Sequence, residues 1–499
     1  MSSPRPKPVH DPWAVALGNA SLLGVGYLMM RRPMLALGTG VITYGLLVVL
    51  VMAVRATWFE VLVLVWWVAL IAHGWWLARG GEPVRQQRLA GLGTALVVLL
   101  AVGYLRFDAA RIEQDAAAAH RRGDCARALS ILDGLGAGHH VAAAPLTVRA
   151  ENGSAACRLL VTAGEQAAGD RLLAARTLQT YREHPAALWQ GAEDRRAGLF
   201  LAQATTDLTT ALTGDTKALE TGFAHLQQAL KAGQETKAAQ VLDGFLGGLP
   251  TKDACATRTI TDWLAEHKAG DGVLDRAADV VPEVAPAAIV GCGDALAEDK
   301  EWKQAKAQYE QLLDQYPKDD LAAKARKGKE RAGLEIELAN VKKLLKGDEP
   351  DYCKRPAPYH GAPRYRGGGP HRAIMLGRKD HRAKLPKSWL AKDPEDAVLV
   401  ICAGESKNGA AVRTCPYLSE HALGGHTYVT FRKRKIPVRV YELHTGKRVG
   451  PKSVQISGSS CPRRIHYTYY GVDIGPPSDM FVKSSKSDIR AAYGRLIRP

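Results

Sequence analysis

Apolar positions follow three different patterns along the chain, and each pattern predicts a different kind of element. The first 107 residues contain long runs with almost no charge, residues 108–346 place apolar side chains at helical spacing, and the C-terminal part alternates apolar and polar positions. Helical spacing indicates amphipathic helices, and alternation indicates half-buried strands. The sequence therefore predicts a multi-domain protein with N-terminal transmembrane α-helices, an all-α region and a small β-rich C-terminal domain.

Two runs within residues 1–107 are apolar enough to span a bilayer, which takes about 20 residues in a helix. They are residues 34–54 and 58–78, and tryptophans near both ends of the second run fit the two interfacial belts of a membrane. Residues 89–105 form a shorter third span. Residues 13–30 contain several glycines, so this segment spans, re-enters or lies flat. We expect a multi-pass protein of the plasma membrane with three or four spans.

Basic residues near the span ends predict the orientation if residues 13–30 do not cross. Seven then lie on the inner side and three on the outer side, which places the C-terminal part outside the cytoplasm. The inner set is Arg5, Lys7, Arg31, Arg32, Arg79, Arg85 and Arg88, and the outer set is Arg55, Arg106 and Arg111. If residues 13–30 do cross, the split becomes five to five and gives no orientation.

The clearest helical unit is residues 286–319. Ala305, Tyr309, Leu312 and Pro317 follow one another there at offsets of 0, 4, 7 and 12. This pattern resembles the tetratricopeptide repeat, a helix–turn–helix of 34 residues. The resemblance implies a helical solenoid in which small residues permit close helix packing and an aromatic ring fills the space between units.

The same register recurs along the all-α region, and about six units are expected in all. The further units are 109–142, 155–188 and 219–252, with degenerate units at 189–218 and 253–285 and a charged terminal helix at 320–346. An unrelated helical bundle is the alternative. Repeat arrays usually present a concave surface to other proteins, so we expect this region to bind protein partners.

The C-terminal part begins with a segment, residues 347–395, that is rich in Pro, Gly, Arg and His and predicts a linker or extended arm. Residues 396–499 form the predicted β-rich domain. Its expected elements are strands at 397–404, 426–433, 436–443 and 464–470, and a helix at 488–496.

Two further segments resemble parts of known bacterial membrane proteins. "VRVYELHTGKRV" (438–449), Gly458, Cys461-Pro462 and "IGPPS" (474–478) resemble a small Cys-containing, β-rich domain of unknown function at the C-termini of bacterial membrane-anchored proteins. "GVGYLMMRRP" (24–33) resembles a short bacterial two-helix membrane motif. The two resemblances imply architecture and location, and no activity.

All eight cysteines lie at or after Cys125, beyond the apolar runs. Disulfides persist outside the cytoplasm, so they fit the orientation in which the C-terminal part is external. Buried, reduced thiols in a cytosolic protein are the alternative. Cys125 and Cys157 fit less well as a pair, because the repeat register puts them at opposite ends of adjacent helices.

The other six cysteines are candidates for three disulfides. Two lie on the first helices of neighbouring repeat units, two flank a glycine-containing turn, and the remaining two lie in the β-rich part. In that order the pairs are Cys255–Cys292, Cys402–Cys415 and Cys353–Cys461.

Residues 349–499 carry 28 Lys and Arg against 12 Asp and Glu, a net charge of +16 out of +17 for the whole chain. A surface of this kind attracts polyanions, which outside the cytoplasm means an anionic wall polymer or lipid headgroups. A solvated basic surface is the alternative. Nucleic acid is not expected, since no stacking platform or reading helix is recognisable. The candidate polyanion-binding residues are Arg432, Lys433, Arg434, Lys435, Arg463 and Arg464.

The sequence contains none of the common catalytic motifs, neither a Gly-rich phosphate loop, nor G-x-S-x-G, H-E-x-x-H or C-x-x-C. We therefore expect no catalytic residue, cofactor or metal ion. The predicted function is that of a membrane-anchored scaffold of the bacterial cell envelope that binds proteins through its repeats. The alternatives are a cytoplasm-facing membrane adaptor for protein or nucleic acid, and an envelope enzyme with an unrecognised site in the β-rich domain.

Overall fold

The computed structural model describes residues 10–52, 54, 57–268, 272–347, 350–421 and 424–499. Within it the chain divides into two compact units. The first comprises Met1–Leu249 with Glu266–Asp279, and the second comprises Pro250–Ala265 with Val280–Pro499.

The first unit is helical throughout its described residues. Its helices are α1 (Pro12–Ala20), α2 (Val25–Met29), α3 (Pro33–Met52), α4 (Thr57–Leu77), α5 (Arg85–Arg121), α6 (Cys125–Leu132), α7 (Ala137–Ala142), α8 (Ala144–Gln166), α9 (Arg171–Glu183), α10 (Ala192–Ala211), α11 (Thr216–Lys231) and α12 (Glu235–Leu246).

The second unit combines helices with a mixed β-sheet. Its helices are α13 (Ala254–Glu266), α14 (Val281–Glu298), α15 (Trp302–Gln315), α16 (Ala322–Leu344), α17 (Lys379–Arg382) and α18 (Lys486–Ile497). Its strands are β1 (Ala373–Leu376), β2 (Leu399–Ala403), β3 (Lys407–Leu418), β4 (His426–Glu442), β5 (Arg448–Val449), β6 (Ser453–Ile456) and β7 (Asp479–Phe481).

Four helices in the described part of the chain are long and apolar enough to cross a membrane, by length and composition. The most apolar windows of α3, α4 and α5 have mean hydropathies of 2.2, 1.6 and 1.8, and only 11–17 % of each window is buried. Their apolar side chains therefore face outward, where water would be an unfavourable solvent. This indicates membrane association. The fourth candidate, Asp275–Glu298, is more enclosed, with 44 % of its window buried.

Residues 13–30 do not form a spanning helix. α1 and α2 have nine and five residues, so they are about 14 and 8 Å long at 1.5 Å per residue. The hydrocarbon core of a bilayer is about 30 Å thick. Gly24, at a φ of 64°, separates them, and α1 packs against both α4 and α5. The two short helices therefore form a hairpin within the first unit.

Three of the helices that follow the apolar region, α6, α9 and α11, begin after a turn in which glycine is followed by a capping aspartate. Gly123 and Gly214 have φ values of 79° and 90°, in the left-handed region that favours glycine. The side chains of Asp124 and Asp215 then accept hydrogen bonds from the first backbone N–H groups of α6 and α11. The predicted repeat units 155–188, 219–252 and 286–319 each contain all or part of two helices. Residues 189–218 contain one complete helix, α10.

The sheet of the second unit is built around β4. Its strand order is β1-β2-β4-β3, and β5, β6 and β7 also pair with β4. β1 is parallel to β2, while β2 and β3 are both antiparallel to β4. The two strands expected at 426–433 and 436–443 are one continuous strand. Residues 347–395, expected as a linker, contain β1, and the strand expected at 464–470 is irregular.

Helices cover both faces of the sheet near β2. Leu399 and Ile401 pack in a cluster with residues of α18, whereas Val400 and Cys402 pack in a cluster with residues of α16. Successive side chains of a strand point to opposite faces, so the continuous apolar run of β2 is explained by a helix on each side. α16, which the sequence predicts as the terminal helix of the repeats, thus packs on the sheet.

Candidate functional site

All eight cysteines lie in the described part of the chain, and all are paired. The four disulfides have Cα–Cα distances between 4.5 and 5.9 Å, within the usual range. They are Cys125–Cys157, Cys255–Cys292, Cys353–Cys402 and Cys415–Cys461.

Two disulfides of the β-rich part differ from the expected pairs. Cys402 of β2 lies across from Arg439 of β4, whereas Cys415 of β3 lies across from Val429. These two positions are ten residues apart along β4, about 33 Å at 3.3 Å per residue, which is too far for a disulfide. Cys402 instead pairs with Cys353 and Cys415 with Cys461. The expectation of Cys402–Cys415 and Cys353–Cys461 is corrected accordingly.

The helical disulfides are also explained by helix boundaries. Cys255–Cys292 joins α13 to α14, as the repeat register predicts. Cys157 was expected near the start of a helix at 155, but α8 begins at Ala144. Cys157 therefore lies in the middle of α8, where its Cα is 5.0 Å from that of Cys125 at the start of α6.

One group of three potential metal ligands occurs among the described residues. It consists of His120, Cys125 and Cys157, whose ligand atoms lie within 4.8 Å of one another. Zinc binds thiolates, whereas both sulfur atoms here are joined in a disulfide. The remaining ligand atom, His120 Nε2, lies 2.9 Å from the hydroxyl oxygen of Tyr181. The arrangement is therefore that of a buried structural cluster.

A cavity of about 290 Å³ lies beside this cluster, between α5, α6, α8 and the segment 185–188. The lining combines apolar residues with polar ones, among them the buried His120. Its apolar residues include Ala116, Leu132, Ala150 and Leu188, and its polar residues include Glu113, Arg149 and Asn152. Arg149 is exposed and forms no ion pair with a described residue. The cavity can therefore accept an apolar side chain with an acidic group beside it.

The basic run of β4 is partly occupied by contacts within the sheet. Arg432 Nε lies 2.5 Å from Asp479 Oδ1 on β7. The guanidinium of Arg434 lies over the ring of Phe481, 4.6 Å from its centroid. Burial lowers the pKa of Arg434, with the charge of Arg378 acting in the same direction. These two half-buried arginines contact β7, and polyanion binding by them stays a prediction.

Of the other four candidate residues, Lys435, Arg463 and Arg464 are exposed and Lys433 is half-buried. Lys433 and Lys435 point to the opposite side of β4 from Arg432 and Arg434, and Lys435 lies directly across from Lys407 of β3. Like charges in such a pair repel and leave a positive patch. Arg463 and Arg464 are exposed in the irregular segment after Cys461. The six residues therefore do not form one site.

The sequence reasoning missed the irregular loop 462–478, which it took in part for a strand. Gly471, Pro476 and Pro477 are strong breakers of regular structure, and they are the signal that could have identified the loop. Arg463 and Arg464 belong to this loop.

If the β-rich domain were an enzyme, the buried His381 would be a candidate for its acid–base group. Its side chain is 3 % exposed. Its Nδ1 lies 3.2 Å from the hydroxyl oxygen of Tyr493, and its Nε2 lies 3.2 Å from Arg378 Nη2. Burial lowers the pKa of His381. Both nitrogens are thus used within the protein, and neither is presented to a substrate.

Comparison with known proteins gives no match to a protein-family model, to a curated protein or to a solved structure. The resemblances to the tetratricopeptide repeat and to the bacterial C-terminal domain therefore remain predictions.

Proposed function

We propose that this chain is a membrane-anchored scaffold of the bacterial cell envelope, whose helical region binds protein partners outside the cytoplasm. The observation that carries the binding role is the cavity of about 290 Å³ between α5, α6 and α8. Its small apolar interior suits an inserted aliphatic side chain, and Arg149 at its rim suits an adjacent carboxylate. A protein segment supplies both groups a few ångströms apart.

Two observations support the external location. α1 and α2 are too short to cross, so three N-terminal spans remain and the basic residues near their ends divide seven to three. This division favours an external C-terminal part. Four disulfides between Cys125 and Cys461 are typical of an oxidising compartment. In the reverse orientation the cytosol would keep these thiols reduced.

The packing of α14, α15 and α16 supports the repeat architecture. A Cβ placed on Gly293 would lie 2.8 Å from the ring of Tyr309, and one placed on Gly328 would lie 2.5 Å from the same ring. The aromatic side chain of one helix is thus accommodated by glycines of its two neighbours. This is the arrangement that the resemblance to tetratricopeptide repeats implies.

The test is site-specific photo-crosslinking in cells, with a photoreactive amino acid at Asn152 of the full chain. Arg149→Glu should reduce the crosslinked partner by about tenfold or more, because hydrogen bonds between charged groups contribute about 1.5–3 kcal/mol. Arg158→Glu is the matched control. It lies nine residues further along α8, which is about half a revolution away at 3.6 residues per turn, and should leave crosslinking unchanged. Equal yields from the two variants would contradict the proposal.

A further inference from the structure

One end of the second unit exposes large apolar side chains beside arginines. We call this the tip surface, and it lies on the β3–β4 hairpin end and on the loop 462–478. It is defined by Leu418, Arg463, Arg464, Tyr470, Val472 and Ile474. Its four apolar residues are 84 %, 95 %, 81 % and 85 % exposed, in chain order. Clustered apolar exposure with a polar rim marks an interaction site.

The loop that carries most of the tip surface is held firmly against the hairpin. The disulfide Cys415–Cys461 joins the start of the loop to β3. Further along, Asp473 Oδ1 accepts a hydrogen bond from the hydroxyl of Tyr467 at 2.9 Å, and Asp473 Oδ2 lies 3.4 Å from His421 Nε2. Residues 473–475 therefore run beside the hairpin end. Tyr470 and Val472, between these attachments, and Ile474, at the second one, are exposed.

Two arginines lie near these apolar residues, together with the carboxylates of Glu420 and Asp473. A cavity of about 760 Å³ between the loop and the hairpin is lined by Arg463 and Arg464, with His421 and His466 beside them and one carboxylate, that of Glu420. Neither arginine forms an ion pair with a described residue. The charge of +16 over residues 349–499 adds to this local field.

We propose that the tip surface binds an anionic lipid surface. Tyr470, Val472 and Ile474 enter the boundary between headgroups and acyl chains, while Arg463 and Arg464 contact phosphate groups. Apolar side chains projecting beside basic ones are the combination that binds proteins to membrane interfaces. A wall polymer of sugars and phosphates has charge but no apolar phase in which to bury Val472 and Ile474, so the lipid surface is the better match.

The test uses the full chain, held in a nanodisc of neutral phosphatidylcholine, so that the apolar helices α3, α4 and α5 are surrounded by lipid. This particle is mixed with one of two kinds of vesicle, and co-flotation is measured. The neutral vesicles contain phosphatidylcholine alone, and in the anionic vesicles about one third of the lipid is phosphatidylglycerol. We expect flotation with the anionic vesicles and little with the neutral ones. Binding should weaken as salt rises, because the Debye length falls from about 10 Å at 0.1 M to about 3 Å at 1 M.

Two variants separate the apolar and the charged parts of the surface. Replacing Arg463 and Arg464 by Gln should weaken binding by roughly 10- to 30-fold, from about 1 kcal/mol per basic residue near an anionic membrane. Replacing Tyr470, Val472 and Ile474 by Ser should also abolish most flotation although the charge is unchanged. These side chains are exposed, so the fold should persist in both variants, as an unchanged melting temperature would show.

Matched controls lie in the same unit. Arg439→Gln with Lys452→Gln removes the same charge at exposed positions near the other end of β4, and Val412→Ser removes an exposed apolar side chain of β3. Both controls should float as the unchanged protein does.

Three results would overturn the proposal. One is equal flotation with neutral and anionic vesicles. Another is full binding by the triple serine variant together with salt-sensitive binding to a soluble anionic polymer, which would show recognition by charge alone. The third is dimerisation of the nanodisc-held chain that is lost in the serine variant, which would identify a second copy as the occupant.

Discussion

Glycines within the apolar helices differ in what surrounds them, and this difference assigns them separate roles. A Cβ on Gly26 would lie 2.1 Å from the carbonyl oxygen of Val15, and one on Gly91 would lie 2.6 Å from that of Ala14. Around Gly40 of α3, by contrast, nothing lies within 4 Å. The first two positions permit close backbone packing of α1, in the way that small residues do in membrane helices.

Gly26→Ala and Gly91→Ala should therefore destabilise the first unit, by about 1–3 kcal/mol each, which is typical of overpacking. Gly40→Ala should be neutral or slightly stabilising, since alanine is favoured over glycine in a helix by up to about 1 kcal/mol. Thermal unfolding of the full chain in detergent would measure both effects. Equal melting temperatures for the three variants would show that α1 does not pack as described.

His381 connects the stability of the second unit to pH. Burial lowers its pKa below the ordinary value of 6.5, and although the carboxylate of Asp380 opposes this, the charges of Arg378, Lys384 and Arg434 support it. The unfolded chain therefore binds a proton at His381 more readily than the folded chain. The stabilising effect is complete above about pH 6.5 and is lost as pH falls toward the lower pKa of the folded state.

The full chain should accordingly become less stable between pH 7 and pH 5, and His381→Gln should show a shallower decline over the same range. Glutamine keeps a polar group near Tyr493 but takes up no proton. Urea unfolding of the two proteins at several pH values would measure the slopes. A variant that loses stability as steeply as the unchanged protein would assign the pH dependence to other groups.

At the scale of elements, β4 is the central strand of the sheet. Every other strand except β1 pairs with it. Val429 and Phe431 are buried in its first half, whereas Ile436, Val438 and Val440 are buried in its second half. The buried side chains thus change from odd to even positions, so one strand contributes to two cores. Irregular register between β3 and β4 accompanies this change, as is common where a strand bends.

The two disulfides of the β-rich part should differ in what they stabilise. Replacing Cys353 and Cys402 by Ser should lower the stability of the sheet by about 2–4 kcal/mol, since this crosslink anchors the segment before β1 to strand β2. Replacing Cys415 and Cys461 by Ser should chiefly increase hydrogen exchange in the loop 462–478. Hydrogen exchange followed by mass spectrometry would distinguish the two, and indistinguishable profiles would contradict this division.

At the scale of the whole molecule, the orientation of the spans decides which compartment the disulfide-bonded part occupies. A reporter that is active only in the cytoplasm should be silent when fused after Pro499. The same reporter inserted at Gly81, between α4 and α5, should be active, because this turn lies among the inner arginines. The opposite pattern would place residues 108–499 in the cytoplasm and would remove the basis of the proposed scaffold.

The sequence by itself determined the features that depend on neighbouring residues. Apolar length located α3 and α4 to within two residues, and the start but not the end of α5, because the cost of exposing an apolar helix to water is a local sum. Helical periodicity with Gly-Asp turns located helix junctions such as Gly169-Asp170 before α9, since capping acts within one turn. The pair Cys255–Cys292 was accessible for the same reason, as it joins helices adjacent in the chain.

Only the tertiary structure decided the features that depend on contacts between distant segments. The register of β2 and β3 along β4 placed Cys402 and Cys415 far apart, so each pairs with a cysteine from another segment. The same non-local pairing forms β1 within a Pro- and Gly-rich segment and brings Arg432 and Arg434 into contact with β7. It also placed Arg463 beside exposed apolar residues of the loop. Composition cannot reveal such contacts, because which strands and loops become neighbours is set by the packing of the whole sheet.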